Sequence, residues 1–389
     1  EAAEKSTSAF QQNLCRLEHA GAAIARHAYR DALPELEAGL DYFEKEGHRV
    51  EGLRTHLYLA VARRAIADRQ AAQAHLNRVF AASVEPGSSN PIAVTGRELR
   101  FHLEAMEQDP DFERAASAIL RLVTAFERQI PSLRRQLRHQ SQTIPLGPPK
   151  IVIQTLGKIQ VKINGHVITN AEWLAQTARD LFLLILAHPE GMTKEEIGVV
   201  LWPESSQSEL KMRFKNTIYR PRRAAGKDIF LFENDIYRFD RQLDYEEDSE
   251  SFLREIERAE DATDADEKVY HYNAALKFYR GEYLPDLRDT WVVTRREQLT
   301  HRYVDTLVKL AGLEMERRQY ELALTRVKTL LTLDACMEEA HRLGMLIHAA
   351  MGNRAGVMRQ YEQCCQALLA EFNTQPSIQT QQLYHTLTH

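Results

Sequence analysis

The chain has 389 residues, a formal net charge of −5, 44% hydrophobic and 27% charged residues. This is enough for two or three domains with cores of their own. The net acidity excludes a chain coated in basic charge, so any nucleic-acid site must be local. Four cysteines (Cys15, Cys336, Cys364 and Cys365) are too few and too scattered for a disulfide framework and fit a reducing cytoplasm. The adjacent pair Cys364–Cys365 falls in a helical pattern and is expected to pack rather than react. No stretch approaches the ~18 uninterrupted apolar residues of a membrane span. The N-terminus, EAAEKSTSAF, has no Met, basic region or apolar run of a signal peptide, and reads as cut from something longer.

Residues 10–140 carry helical periodicity throughout, with Leu33, Leu36, Leu40 and Phe43, then Leu57, Leu59, Val61 and Ala62, as core positions. Breakers stand at 86–91 and at Asp109-Pro110. The segments 28–33 and 69–74 resemble each other and suggest tetratricopeptide-like hairpins. Residues 141–150, SQTIPLGPPK, cannot continue a helix and form a linker.

The pattern then changes. Ile159, Val161 and Ile163 alternate with Gln160 and Lys162, and Asn164-Gly165 marks a hairpin turn. A helix is expected from about Trp173 to His188. A second follows from Thr193, with Glu196 completing a capping box, to about Trp202. Ser205, Ser206 or Ser208 caps a third that extends toward Gly226. A second hairpin is predicted around Glu233-Asn234-Asp235. Residues 246–266 hold ten acids against Arg254 and Arg258, and are expected to be a solvated helix face and connection. From 267 onward the chain is helical. Segment 318–324 repeats as 352–358, an offset equal to the tetratricopeptide period, with Val327 and Tyr361 in register as core positions.

Hairpin, three helices and hairpin in about 90 residues is a winged-helix plan, whose third helix enters the major groove. Residues 206–227 contain Lys211, Arg213, Lys215, Arg220, Arg222, Arg223 and Lys227 against Glu209 alone, a local +6 in an acidic chain. Phe214, Ile218, Pro221 and Ala225 are spaced to face the core with Leu181, Leu184, Ile185, Ile197, Leu201 and Trp202. Lys211, Lys215, Asn216, Tyr219, Arg220 and Arg223 then point outward. Asn216 is a candidate for reading adenine and an outward arginine for guanine. The arginines that read bases and those that touch phosphate stay undivided at this level. Pro221 predicts a kink or an end to the helix. The acidic tip 233–235, with Arg238 the only cation in that hairpin, predicts a wing that lies off DNA or only packs.

These residues resemble the OmpR-type winged helix of the bacterial regulators known as SARPs. The likeness is carried by Ala178-Arg179-Asp180-Leu181-Phe182-Leu183-Leu184, Thr193-Lys194-Glu195-Glu196-Ile197, Leu201-Trp202-Pro203-Glu204 and 216–224. That family usually has Leu at Pro221 and a basic or Gly-rich wing. Residues 246–387 resemble the bacterial transcriptional activator domain, through 275–284, Trp291, 338–343, Gly352, 359–362 and Pro376-Ser377. The two likenesses together cover more than half of the chain. Residues 1–140 are similar to the helical arm of MalT-like signal-transduction ATPases. No G-x-x-x-x-G-K-[ST] motif is present, so the resemblance implies a portion without the ATPase.

The expected fold is mostly α: tetratricopeptide-like repeats flanking a small α+β winged-helix domain. Its parts are an arm (1–140), a linker (141–150), the winged helix (151–241) and the activator domain (246–389). The expected function is sequence-specific binding of promoter DNA by a cytoplasmic regulator, an activator by resemblance. Lys211, Arg213, Lys215, Asn216, Tyr219, Arg220, Arg222, Arg223, Lys227 and Arg179 are its candidate DNA-binding residues. The resemblance adds RNA polymerase as partner, a small-molecule or protein effector at the repeats, and a homo-oligomer on DNA. No catalytic set, metal site or cofactor is expected, since none of fifteen histidines has ligand spacing. His27, His102, His271, His341 and His348 read as packed or surface residues. The rival reading is a tetratricopeptide scaffold whose winged helix binds protein.

Overall fold

The computed structural model describes residues 8–85, 87–140, 146–225 and 229–388. It is mostly α, with a small α+β segment between two helical stretches, and falls into two compact units, Glu1–Ser141 and Gln142–His389. Among the described residues no helix is long and apolar enough to cross a membrane.

The first unit holds α1 (Ala9–Ala25), α2 (Tyr29–Lys45), α3 (Arg49–Ala65), α4 (Arg69–Ala82), α5 (Ser89–Glu98), α6 (Arg100–Glu107) and α7 (Glu113–Gln140). The first four start at Ala9, Tyr29, Arg49 and Arg69, so a helical pair recurs at a longer period than the tetratricopeptide one. Each of the three turns between them carries one residue of positive φ: His27 (62°), Gly47 (76°) and Ala67 (67°). Such a left-handed residue ends a helix and reverses the chain. Leu36, Phe43, Leu57, Leu59, Val61 and Ala62 are buried as their spacing predicts, and Leu33 and Leu40 pack at the margin.

The second unit opens with β1 (Ile151–Gln154), β2 (Gln160–Ile163) and β3 (His166–Val167). The β2–β3 turn is Asn164-Gly165, both at positive φ. Next come α8 (Asn170–Trp173), α9 (Gln176–Ala187), β4 (Met192–Thr193), α10 (Lys194–Leu201) and α11 (Gln207–Ala224). The helix expected from Trp173 is thus two helices, broken at Leu174, which adopts φ 61°. Capping boxes at Thr169/Glu172, Thr193/Glu196 and Ser206/Glu209 start α8, α10 and α11, each satisfying amide donors that the helix leaves open. Strands β5 (Phe230–Glu233) and β6 (Ile236–Phe239) form the second hairpin, with Asn234 and Asp235 both at positive φ. Strand β4 adds to it in the order β4-β6-β5. The Met192-Thr193 strand is too short to signal itself by alternation.

Strand β7 (Tyr245–Glu247) leads into α12 (Asp248–Asp261), α13 (Ala265–Phe278), α14 (Thr290–Glu316), α15 (Tyr320–Leu333), α16 (Glu338–Ala350), α17 (Arg354–Phe372) and α18 (Ile378–Thr388). Helices α15 and α17 begin at Tyr320 and Arg354, one tetratricopeptide period apart, after Arg318 and Gly352, both at positive φ. Val327 is buried in register, whereas Tyr361 is half-buried and stacks on Tyr384 at 4.0 Å. Cys364 is buried, and burial pushes its thiol up to about 12, so it packs as an apolar group.

The acidic stretch is solvated at Glu257, Glu260, Asp261, Asp264 and Asp266 as expected, but not where it begins or at Glu255. Glu247, Asp248 and Glu255 are buried. Strand β7 pairs in parallel with β1, giving a four-stranded sheet of order β3-β2-β1-β7. Asp248 Oδ1 accepts from the Thr155 amide and hydroxyl, each at 2.7 Å, and Oδ2 from the Leu156 amide at 3.2 Å. Arg241 pairs with Glu250, and its other amine donates to Leu186 O at 3.1 Å. The loop 279–289 closes the junction: Leu284 N donates to Thr155 O at 2.8 Å and Gly157 N to Glu282 O at 2.9 Å. A side chain on Gly157 would lie 3.1 Å from Arg280 O, and one on Gly281 3.1 Å from Gly157 Cα. The Gly281-Glu282-Tyr283-Leu284 motif is therefore a docking loop that permits backbone contact with the β1–β2 turn. Ile153, Leu156, Tyr245, Phe252, Tyr283 and Val292 belong to one continuous core. Charge is buried here because hydrogen bonds and arginines satisfy it.

Glu247 is the costly member. Burial, then the charges of Glu250 and Asp248, push its carboxyl up to about 7. A carboxyl raised in the fold stabilises it below the unfolded value and loses that contribution as pH rises through the folded value. Unit two should therefore lose up to about 3 kcal/mol from this group between about pH 4.5 and 7. Glu247→Gln should remove that slope and raise stability at neutral pH, as read by urea unfolding at several pH values. An unchanged slope in the variant would assign it elsewhere.

Candidate nucleic-acid interface

Helix α11 is the site's frame. Ser206 caps it, accepting from the Glu209 amide, while the Glu209 carboxylate takes the Ser206 amide at 3.0 Å. Phe214, Thr217, Ile218 and Pro221 are buried, and Ala225 just past its end is too. Phe214 packs on Tyr237 of the hairpin with ring centroids 4.8 Å apart. Gly198 sits where α10 crosses α11, and a Cβ there would lie 2.4 Å from Leu210 Cδ1. The absence of a side chain lets the two helices approach.

Helix α11 continues through Pro221 to Ala224, so of the expected kink or end, the end does not occur there. The ring lies on the buried face, where its apolar burial offsets the missing donor.

The opposite face carries the candidate residues. At 100° per residue, Met212, Asn216, Tyr219 and Arg223 form a stripe directly away from the core. All four are exposed, Met212 and Tyr219 at 62% each. Arg213 (exposed) and Arg220 (half-buried) flank the stripe on one side. Lys211 and Lys215 (exposed) and Arg222 (half-buried) flank it on the other. The arrangement is a central row with hydrogen-bonding and apolar groups between two rows of cations. Met212 escaped the sequence reading, although the steps of four, three and four that place it were available.

Two candidates stand apart. Lys227 lies outside the described residues. Arg179 is on α9, its side chain 15% exposed, held by Asp180 at 3.1 Å and reaching Asp286 at 4.0 Å. Its guanidinium is thus engaged by a carboxylate of α9 and one of the loop 279–289.

The second hairpin presents Leu231 and Phe232, 41% and 51% exposed, beside Glu233 and Asp235. Phe232 packs on Tyr237 with centroids 4.4 Å apart, and Arg238 Nε donates to Glu190 O at 2.7 Å. The cation of this hairpin thus faces the preceding turn. Of the histidines read as packed or surface, His341 is buried against Ala335 O at 3.0 Å and Gln360 at 2.7 Å, and His271 meets Glu255 at 2.8 Å.

Comparison with known proteins bears on the rest of the unit. The fold is similar to that of Mycobacterium tuberculosis EmbR, solved in complex with a low-affinity phosphopeptide. The TM-score is 0.52 at 17% identity, over 61% of this chain. The similarity spans 65% of that protein's length. Among curated proteins none matches the sequence. Residues 247–388 match the family profile described as the bacterial transcriptional activator domain. The chain therefore carries a bacterial transcriptional activator domain after its α+β segment, from the last residue of β7 to the end of α18.

Proposed function

We propose that the chain is a transcription regulator of the SARP type, which binds promoter DNA through residues 151–241 folded as a winged helix. Helix α11 lies in the major groove, which admits one helix. The observation that carries this reading is the outward face of α11: cations on both flanks of an exposed stripe, in a chain of net charge −5. Flanking cations suit the phosphates on either side of the groove, and each phosphate neutralised releases counterions. The activator domain leaves this face open, since Lys211, Arg213, Lys215, Asn216, Tyr219 and Arg223 stay exposed with α12–α14 docked. It holds the winged helix through the Asp248 and Gly281 contacts, and presents α15–α18 to RNA polymerase. The acidic, apolar second hairpin contributes packing and stays off phosphate.

A salt titration of duplex binding by the full chain tests this. Affinity should fall linearly on logarithmic axes, with a slope of about −0.9 per phosphate contact, and one promoter sequence should be preferred. Binding that is absent at low salt, with capture of a protein partner by the same face, would favour an interaction scaffold.

A further inference from the structure

Within the first unit, the C-terminal end of α2, the start of α3 and the end of α4 line an open cavity of about 430 Å³. Its floor includes Phe43 and Leu53, both buried. Gly52 also lines it. This glycine is inside α3 and buried, yet a Cβ there would meet no neighbouring atom within 4 Å. Glycine inside a helix is unfavourable relative to alanine and is usually repaid by close packing. Here no packing explains it, and the missing side chain instead leaves space in a pocket of ligand size.

The polar lining is balanced. Arg49 pairs with Glu85, and Arg78 with Glu44 at 3.0 Å. Glu44 also meets His56 Nε2 at 3.2 Å, and His56 Nδ1 meets His75 Nδ1 at 2.9 Å. Burial, and less so Arg78, hold His56 below the ordinary imidazole value, and burial and His56 take His75 down to about 4. Both rings are then neutral near pH 7, leaving two cations and two anions. The ion pairs are half-exposed, so separating them costs little. A ligand of one charge engages only the two arginines or only the two glutamates. A ligand carrying both charges can engage all four groups.

We infer that this cavity binds a zwitterionic α-amino acid with an apolar side chain. Its carboxylate lies on Arg49 and Arg78, its ammonium on Glu44 and Glu85, and its side chain over Phe43, Leu53 and Gly52. The inference is independent of the DNA reading.

Calorimetric titration of the full chain with L-leucine and L-phenylalanine tests it, with isovalerate and isoamylamine as singly charged controls. Saturable binding of an amino acid, with each control at least about tenfold weaker, is expected. Gly52→Leu should abolish binding by filling the space. Gly52→Ala should weaken it without lowering the melting temperature, which covers the case in which leucine impairs folding. Arg78→Ala should weaken the amino acid more than isoamylamine. Absence of saturable binding by either amino acid, equal binding of isovalerate, or undiminished binding by Gly52→Ala and Gly52→Leu would each overturn the inference.

Discussion

Alanine at both Asn216 and Arg223 should erase the sequence preference of the full chain while leaving salt-dependent binding to any duplex largely intact. Both lie in the exposed central stripe of α11, between its two rows of cations, the side that would face the groove floor in the proposed complex. Asparagine matches adenine N6 and N7, and arginine matches guanine O6 and N7. Each bidentate pair discriminates by about 1–3 kcal/mol, so the double variant should lose about 2–6 kcal/mol of preference. From Met212 to Arg223 the helix rises about 16 Å, close to five base-pair steps of ~3.4 Å. Met212 and Tyr219 flank Asn216 and offer apolar contact to thymine methyl groups. The preferred site should therefore hold an adenine between A·T-rich steps, with a guanine about three steps away. Lys215→Ala should behave differently. It should weaken all sequences alike and reduce the salt slope by about 1. Competition binding across a duplex library at two salt concentrations separates these outcomes. If Arg223→Ala changes only the salt slope, the division of the helix into reading stripe and phosphate flanks is wrong.

Asp248→Ala should be among the most damaging single changes in the second unit, costing about 3–5 kcal/mol. The substitution leaves the Thr155 and Leu156 amides without their acceptor, and the Thr155 hydroxyl with only its 3.3 Å contact to Glu247 Oε1. Thr155 is fully buried, so water cannot replace the carboxylate without opening the junction. Asp248→Asn keeps one acceptor oxygen and should cost less. Trp173, Trp202 and Trp291, the three tryptophans of the chain, all lie in this unit, so their fluorescence in urea follows it alone. On the proposed function the same variant should weaken promoter binding, because β1 loses its tie to α12 and residues 151–241 their fixed orientation. Full stability in Asp248→Ala would mean that the shared core holds the two parts together without the carboxylate.

The basic helix was legible because its determinants are local. Its cap at Ser206, its buried face at 214, 218 and 221, and its excess of cations all fall within one helix and its flank, at one period. The Asn164-Gly165 turn and the repeat that starts α15 at Tyr320 and α17 at Arg354 were legible for the same reason. The helix does not end at Pro221 although propensity counts the lost donor, because the ring lies on the buried face that the spacing predicts and its packing offsets that loss. The acidic stretch was legible in its second half, which is exposed, and misled at its start, where β7 pairs with β1 and Asp248 finds Thr155, far away in sequence.

Sequence alone determined the helical character of the chain, the helix–hairpin order of residues 151–241 and the sign of charge on α11. Periodicity, capping and composition act between near neighbours. Only the tertiary structure decided that the activator domain shares a core with the α+β segment, that Arg179 meets Asp286 of the activator domain's loop, and that Gly52 fronts a cleft. Each of these depends on which distant groups meet when the chain closes. A buried carboxylate, an ion pair and a void have no local signature.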